Sequence, residues 1–226
     1  MSVYCCDFCS VQHRYGIDKE GVAKGTPYGR TIRSTSSQAN FNFNRVRSDY
    51  IMYSEIKIDL RDTQWPLDYI DHDRNIARAI VYDESGLLYF VRAERDDDFG
   101  RATLIETSGG GVEEGEDLLC AVKRELREEL GAEAEVICKI GVVSDYYNLI
   151  HRHNINNYFL CKVKSFGDKS LTEDEIKSFH LSTLKLSYTQ AVKEYERRAD
   201  TKIGRLIADR ELPILRRAKE IIDSLA

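Results

Sequence analysis

The sequence predicts an α/β protein in which a mixed sheet packs against helices as a sandwich. Three observations indicate this class. Runs rich in β-branched and aromatic residues occur before and after the middle of the chain, a strongly amphipathic helix lies between them, and apolar residues at helical spacing follow near the C-terminus. The resulting order of strands, helix, strands and helix differs from the regular βαβ repetition of a purely parallel sheet.

The strands before the central helix are predicted from alternation and composition. Residues 56–62 (IKIDLRD) alternate apolar and polar side chains, and residues 75–82 and 87–93 are β-rich. The intervening DESG is typical of a hairpin turn. A further short strand is expected at 103–107, followed by a glycine-rich turn at 109–111.

The central helix has clear boundaries. It is predicted from Asp117 to Leu130 and should stop at Gly131, the favoured C-terminal cap. Its apolar stripe, which would anchor it to the sheet, is formed by Leu119, Val122, Leu126 and Leu130. The elements expected after it are strands at 135–143, 157–163 and 184–188, a helix capped by Ser187 or Thr189 and running to Arg198, and C-terminal helices for which Pro213 marks a first turn or a break.

Composition and charge exclude some kinds of partner. The net charge is −5 without a long basic block, which argues against a nucleic-acid polymer or an anionic membrane surface as the main partner. A small phosphorylated ligand needs only a local cluster of cations. No stretch approaches the roughly 20 apolar residues of a membrane span, and the first 30 residues lack the apolar core of a secretory signal. We therefore expect a cytoplasmic protein.

The first part of the chain differs from the rest. Residues 1–55 are rich in Ser, Asn, Arg, Gly and Tyr without a sustained period, so a mobile leader of unknown role is expected before a domain at 56–226. This leader holds a Cys-x-x-Cys pattern and a nearby His, but a zinc site needs a second ligand pair, so no metal is expected there. The residues of that pattern are Cys5, Cys6, Cys9 and His13, and buried reduced thiols are expected at Cys120, Cys138 and Cys161.

The candidate catalytic and metal-binding side chains are concentrated in residues 110–132, GGVEEGEDLLCAVKRELREELGA. Glu125, Glu128 and Glu129 are at i, i+3 and i+4, so their carboxylates share an arc of roughly 100° on the helix. Such carboxylates repel one another unless a cation binds, and hard oxygen ligands favour Mg²⁺ or Mn²⁺. Glu116, at the helix start, can reach Arg124 and hold it in place.

The alternative interpretation is a solvated helix face, because Arg124 and Glu128 also form an ordinary i, i+4 ion pair. The flanking positions of Gly110, Glu116 and Gly131 argue against it. Together with the helix residues they match the Nudix box at every defined position, for which a chance match is on the order of one in ten million.

The chain therefore resembles the Nudix hydrolases over about residues 56–226. The resemblance implies an α/β/α sandwich with a mixed sheet, in which the box forms a loop-helix-loop catalytic motif. It implies metal-dependent hydrolysis of a diphosphate bond in a nucleoside diphosphate linked to another moiety, such as ADP-ribose or another nucleotide sugar. Diadenosine polyphosphates and oxidised nucleoside triphosphates also stay open as substrates, and so does a homodimer.

The resemblance also implies roles for individual residues. Glu125, Glu128, Glu129 and the carbonyl of Gly109 would bind Mg²⁺ or Mn²⁺. Catalysis would involve Glu125 and Glu128, with Glu116 and Arg124 as an orienting pair, and one of the acids or a carboxylate elsewhere would help to activate water. Many members carry a further acid in the loop before the last core strand, but the matching position here is near Leu184; nearby substitutes are Glu173, Asp174 and Glu175.

Candidates for substrate binding lie on both sides of the box. Arg92 and Arg101, with Arg95, could clamp a phosphate, although the neighbouring aspartates 96–98 equally suggest a solvated loop. Tyr146 and Tyr147 could stack on a base or be ordinary strand-end aromatics. His151 and His153 are expected in an exposed loop, with a general-base role as the alternative.

Two functions other than hydrolysis use the same fold. A ligand-binding or regulatory module without turnover often lacks a box carboxylate, and an isomerase usually has a degenerate box. All the box carboxylates are present here, so a hydrolase is the favoured function.

Overall fold

The computed structural model describes residues 53–171 and 180–225. The Cys-x-x-Cys pattern with His13, the candidate acids Glu173, Asp174 and Glu175, and the expected leader up to residue 52 lie outside the described residues. Three residues assigned to that leader do contact the domain: Tyr53 Oη lies 2.8 Å from Ser224 Oγ, the Ser54 carbonyl accepts from Arg217, and Glu55 pairs with Lys139.

The described strands form one mixed sheet with the order β1-β6-β7-β2-β3-β4, while β5 pairs with β2 and β8 with β3. The pairs β1–β6 and β2–β7 are parallel, and the remaining pairs are antiparallel. The strands are β1 Ile56–Leu60, β2 His72–Tyr82, β3 Leu88–Asp97, β4 Gly100–Glu106, β5 Ser108–Gly111, β6 Ala132–Tyr147, β7 Arg152–Phe166 and β8 Ser182–Leu186.

Helices cover both faces of the sheet. Helix α1 (Leu118–Leu130) packs on one face, and α2 (Tyr188–Arg198) and α3 (Lys202–Leu225) pack on the other. Alternation along β2 explains this arrangement, since Ala79 and Val81 join the α1 side while Ile80 joins the α2–α3 side. The predicted α/β/α sandwich with a mixed sheet is confirmed.

The boundaries of α1 follow from its caps. The side chain of Asp117 accepts from the backbone N–H groups of Leu119 and Cys120, each at 2.9 Å. Gly131 ends the helix in the left-handed region at φ 64°. Val122, Leu126 and Leu130 are buried as predicted, but Leu119 is 47% exposed, because Leu118 packs against the core in its place.

The glycine-rich segment was predicted as a turn, which is wrong: it forms strand β5. Its four residues pair antiparallel with residues 76–79 of β2. The edge of β2 is open at this point because β3 pairs with β2 only at Val81 and Tyr82. Glycine suits the position because a β-carbon on Gly109 would lie 2.2 Å from the carbonyl oxygen of Ala77.

The expectation of C-terminal helices for which Pro213 marks a first turn or a break is also wrong. α3 is one helix of 24 residues with Pro213 inside it. A proline in a helix interior removes a backbone hydrogen bond and costs about 3 kcal/mol. Buried side chains on both sides, such as Ile207 and Ile214, keep the helix continuous against the sheet. None of the helices in the described parts is long and apolar enough to cross a bilayer.

Two glycines at left-handed backbone angles allow a matched test of this fold. Replacing Gly131 with Ala should lower the free energy of unfolding by more than replacing Gly86 does. Both changes carry the left-handed penalty of about 1–2 kcal/mol, but a β-carbon on Gly131 would also lie 2.4 Å from the Gly167 carbonyl oxygen, whereas nothing lies within 4 Å of one on Gly86. Urea unfolding measures both, and equal losses would show that the helix end tolerates the extra atom.

Candidate active site

Helix α1 places the side chain of Glu125 against strand β5. Glu125 is 8% exposed, and a β-carbon on Gly110 would lie 2.4 Å from its Oε1 atom. Only a glycine at this position lets the buried carboxylate lie directly on the strand.

One guanidinium joins the acids of the box. Arg124 donates to both carboxylate oxygens of Glu116, at 3.0 and 2.9 Å, and to the carbonyl of Gly111 at 2.9 Å. It also donates to Glu125 at 2.7 Å and to Glu128 at 3.1 Å. The hydrogen bonds with Glu116 raise the pKa of Arg124 and lower that of Glu116. Arg124 therefore stays charged and fixes the positions of three carboxylates, as the fork geometry of guanidinium allows.

Glu129 behaves differently from the other acids. Its Oε2 atom accepts from the backbone N–H of Gly109 at 2.9 Å. Burial raises the pKa of Glu129 to about 8, with a further increase from the charge of Glu125, while the Gly109 N–H and the charge of Arg78 act in the opposite direction. In this environment a proton or a cation is needed to balance the charge of the carboxylate at neutral pH.

The donor set fits a hard divalent cation. Glu125, Glu128 and Glu129 offer only oxygen ligands, and they lie on one helix beside a glycine strand. Their oxygens are bonded here to N–H groups of Arg124 and Gly109. Within the described residues, accordingly, no three His, Cys, Asp or Glu side chains converge as a ready-formed cage. The chemistry of the acids suits Mg²⁺ or Mn²⁺, whereas their convergence would have to accompany binding.

Two cavities lie beside the glycine strand, where β3 and β5 separate along the edge of β2. A cavity of about 230 Å³ is bordered by Glu129, Gly109 and Thr107. A second cavity, of about 170 Å³ and here called the arginine cavity, is bordered by Gly109 and Gly110. Arginines line both cavities, and of the box acids Glu129 borders the first. The arginines of the second cavity are Arg74, Arg78, Arg95, Arg152 and Arg210.

A buried polar network supports the floor of the arginine cavity. Arg210, 1% exposed, donates to Tyr147 at 2.8 Å, to Asp145 at 3.3 Å and to Glu211 at 3.0 Å. Tyr158 donates to the same oxygen of Glu211 at 3.0 Å. Burial alone would lower the pKa of Arg210, but the acidic groups around it hold that pKa well above its ordinary value. The network thus fixes a permanent charge in the core beneath the site.

Sequence reasoning missed this network, although it left a signal. Arg210 and Glu211 lie between Ile207 and Ile214 on the buried stripe of α3. Arg78 interrupts the apolar run NIARAIVY, is 7% exposed, and donates to Asn156 at 3.0 Å. Charged residues at core positions of apolar elements require buried partners.

The predicted substrate residues are dispersed. Neither Arg92 nor Arg101 borders the two cavities; Arg92 pairs with Glu94 at 2.6 Å, and Arg101 is exposed on β4. Tyr146 stacks on a histidine away from the box, with ring centroids 4.5 Å apart. Tyr147 does border the arginine cavity, but it is 5% exposed, and burial raises its pKa to about 12. Of the four, Tyr147 alone adjoins the site.

Of the two histidines expected in an exposed loop, His151 lies in a turn and is partly buried, whereas His153 is in a strand. His153 lies within β7, where it bridges Asp73 at 2.8 Å and Ser144 at 2.9 Å, so it is not an exposed loop residue. His151 follows a short 3₁₀ helix and stacks on Tyr69.

Leu184 is in β8, opposite Phe90 of β3. Of the thiols expected to be buried, Cys161 is buried, and Cys120 and Cys138 are only partly so.

Comparisons with known proteins give one family and several similar structures. The family model described as a NUDIX domain matches residues 72–201, more than half of the chain. A NUDIX hydrolase from Nitrosomonas europaea has 18% identity and a TM-score of 0.46, covering 54% of this chain and 78% of that chain. A MutT NUDIX hydrolase from Burkholderia pseudomallei has 21% identity and a TM-score of 0.41, with 53% and 86% covered. The ORF135 protein of E. coli has 22% identity and a TM-score of 0.39, with 54% and 79% covered.

A comparison with curated proteins gave no significant match.

The raised pKa of Glu129 predicts a pH-dependent stability in the absence of metal. Folding keeps this carboxyl protonated up to about pH 8, compared with an ordinary value of 4.5. The stability associated with the proton is present below 4.5 and is lost as the pH rises through about 8. In EDTA, the melting temperature of Glu129→Gln relative to that of the parent should therefore rise across this interval. A difference that stays constant with pH would contradict the raised pKa.

Proposed function

Because the chain belongs to the Nudix family of hydrolases, we propose that it hydrolyses the diphosphate bond of a nucleoside diphosphate linked to another moiety, such as ADP-ribose or another nucleotide sugar. Members of the family generally act on nucleoside diphosphate derivatives with the help of divalent metal ions. The observation that carries the proposal is the set of acids held by Arg124 beside cavities lined by arginines.

The metal ligands in this proposal are Glu125, Glu128, Glu129 and the carbonyl of Gly109, and the cation is Mg²⁺ or Mn²⁺. A bound cation supplies charge neutralisation at the phosphates and lowers the pKa of the attacking water. The oxygen-only donor set and the raised pKa of Glu129 support this assignment.

The residues around the acids orient the reacting groups. Arg124, fixed by its two hydrogen bonds to Glu116, keeps Glu125 and Glu128 on one side of the helix. Glycines in β5 let the Glu125 carboxylate and the Arg74 guanidinium lie against the strand. Arg78 and Arg95 border both cavities and offer N–H donors to the non-bridging oxygens of a diphosphate. Binding and orientation by these groups lower the barrier because positioning dominates phosphoryl-transfer catalysis.

A binding module without turnover is the second candidate. Its characteristic would be a missing acid or an uncoupled Arg124, and neither applies to the described site, where Arg124 contacts Glu116, Glu125 and Glu128. Catalysis is therefore favoured over binding alone, and over the isomerase alternative, for which a degenerate box is typical.

We predict that Glu128→Gln lowers kcat by at least about a hundredfold, because a metal ligand is lost while the fold is kept. Glu129→Gln should behave similarly. A set of nucleotide sugars, diadenosine polyphosphates and oxidised nucleoside triphosphates is screened with Mg²⁺ and Mn²⁺, and release of AMP or phosphate is measured.

Glu133→Gln is the matched control, because Glu133 is exposed and pairs with Arg127 just beyond the same helix. It should keep the parent's kcat. Near-normal turnover by Glu128→Gln and Glu129→Gln at saturating metal would contradict the assigned ligands, and a parent inactive on every compound would contradict the hydrolase.

A further inference from the structure

Two arginines in the arginine cavity differ from the other three in their pairing. Arg78 and Arg95 each lie within 4 Å of Glu106, and Arg210 pairs with Glu211 at 3.0 Å. Arg74 and Arg152, in contrast, have no carboxylate within 4 Å among residues 53–171 and 180–225. Two guanidinium charges in one cavity are therefore not balanced by an ion pair.

The surroundings make this imbalance costly at Arg152, whereas Arg74 is an exposed residue. The Nε atom of Arg152 is buried and has no hydrogen-bond partner among the residues that the structure describes. Burial lowers the pKa of Arg152, and the positive charge of Arg74 lowers it further. Burial and the charge of Arg78 lower the pKa of Arg74, whereas the charge of Glu125 acts in the opposite direction. Clustered, partly desolvated cations of this kind are stabilised when an anion binds between them.

Register explains why the two side chains share the cavity. Arg74 of β2 is paired with Asn154 of β7, two residues from Arg152, so all three side chains point to the same face of the sheet. Tyr147 of β6 pairs with Arg152, whose guanidinium lies 5.6 Å from the centre of the tyrosine ring. This aromatic contact holds Arg152 in place without neutralising it.

The subsite is adjacent to the box. A β-carbon on Gly111 would lie 3.2 Å from Nη2 of Arg74, whereas one on the neighbouring Gly110 would lie 2.4 Å from Glu125. One short strand thus separates the guanidinium of Arg74 from the carboxylate of Glu125. A single small substrate can contact both Arg74 and the box acid Glu129, because the two residues border the same cavity.

We propose that Arg74 and Arg152 bind a phosphate group of the substrate that is distinct from the diphosphate being cleaved. The proposal rests on the function proposed above and narrows it to diphosphates that carry a further phosphomonoester. Such a group has a charge of about −1.5 to −2 at neutral pH, which matches two unpaired guanidinium groups. A carboxylate would neutralise only one of them. The N–H donors of the two guanidiniums suit the several oxygens of a phosphate.

The first test measures binding without turnover. Inorganic phosphate is titrated in EDTA by calorimetry into the parent, Arg74→Gln, Arg152→Gln and the double variant. Loss of charge-assisted hydrogen bonds should weaken binding at least about tenfold in the double variant, with a smaller loss in each single variant. Arg205→Gln, at an exposed position of α3, should bind phosphate as the parent does.

Melting curves show which variants fold, and Arg74→Gln, at an exposed residue of β2, serves if the double variant does not. The subsite would be overturned if the parent did not bind phosphate. It would also be overturned if the folded double variant bound phosphate as tightly as the parent. The same result for a folded Arg74→Gln, used where the double variant does not fold, would have the same meaning.

The second test uses pairs of diphosphates that are identical except for a phosphomonoester, such as ADP-ribose and its 2′-phosphate. The parent should have the higher kcat/KM for the phosphorylated member of a pair, and the preference should fall at least about tenfold in the double variant. No preference in any hydrolysed pair would contradict the subsite. If no diphosphate is hydrolysed, the proposed hydrolase activity is contradicted. The phosphate titration alone then tests whether Arg74 and Arg152 form a phosphate-binding subsite.

Discussion

The site depends on the balance between one guanidinium and the carboxylates that surround it. Arg124 bonds to Glu116, Glu125, Glu128 and the Gly111 carbonyl, and so connects the loop, the helix and strand β5. Without this cation the acids would repel one another along the helix. A lysine offers a single point of charge and could not span the same contacts. Helix caps, glycine strand and sheet edge all serve to keep this arrangement in place.

The glycines and the buried network extend the same constraint to both sides of the sheet. On the α1 side, Gly110 has no side chain, and this allows the Glu125 carboxylate to approach the strand. On the α3 side, Arg210 and Glu211 are fully buried beneath the arginine cavity and bond to residues of β6 and β7. The site is therefore supported by residues far apart in the chain, and α3 packs in the same core cluster as strands that border it.

Local features of the fold could be predicted from the sequence, and long-range ones could not. The α1 boundaries follow from Asp117 and Gly131, and the Glu116–Arg124 pair follows from the box spacing. The glycines form a strand because β3 does not pair with the part of β2 that β5 occupies. No local sequence pattern predicts this gap in the pairing. Arg74 and Arg152 are brought together by parallel pairing of strands about 80 residues apart, so their shared cavity required the structure. Arg92 and Arg101 are close to the box along the chain, but in the fold neither residue borders the two cavities.

The most direct measurement is the effect of a divalent cation on thermal stability. A ligand that binds only the folded state adds about 2.7 kcal/mol at a hundredfold excess over its Kd. Mg²⁺ or Mn²⁺ should therefore raise the melting temperature of the parent, and NaCl of equal ionic strength should not, because screening lacks site geometry. The gain should largely disappear when Glu125, Glu128 and Glu129 are all changed to Gln. An equal gain in the triple variant would contradict the assignment of these glutamates as the metal site.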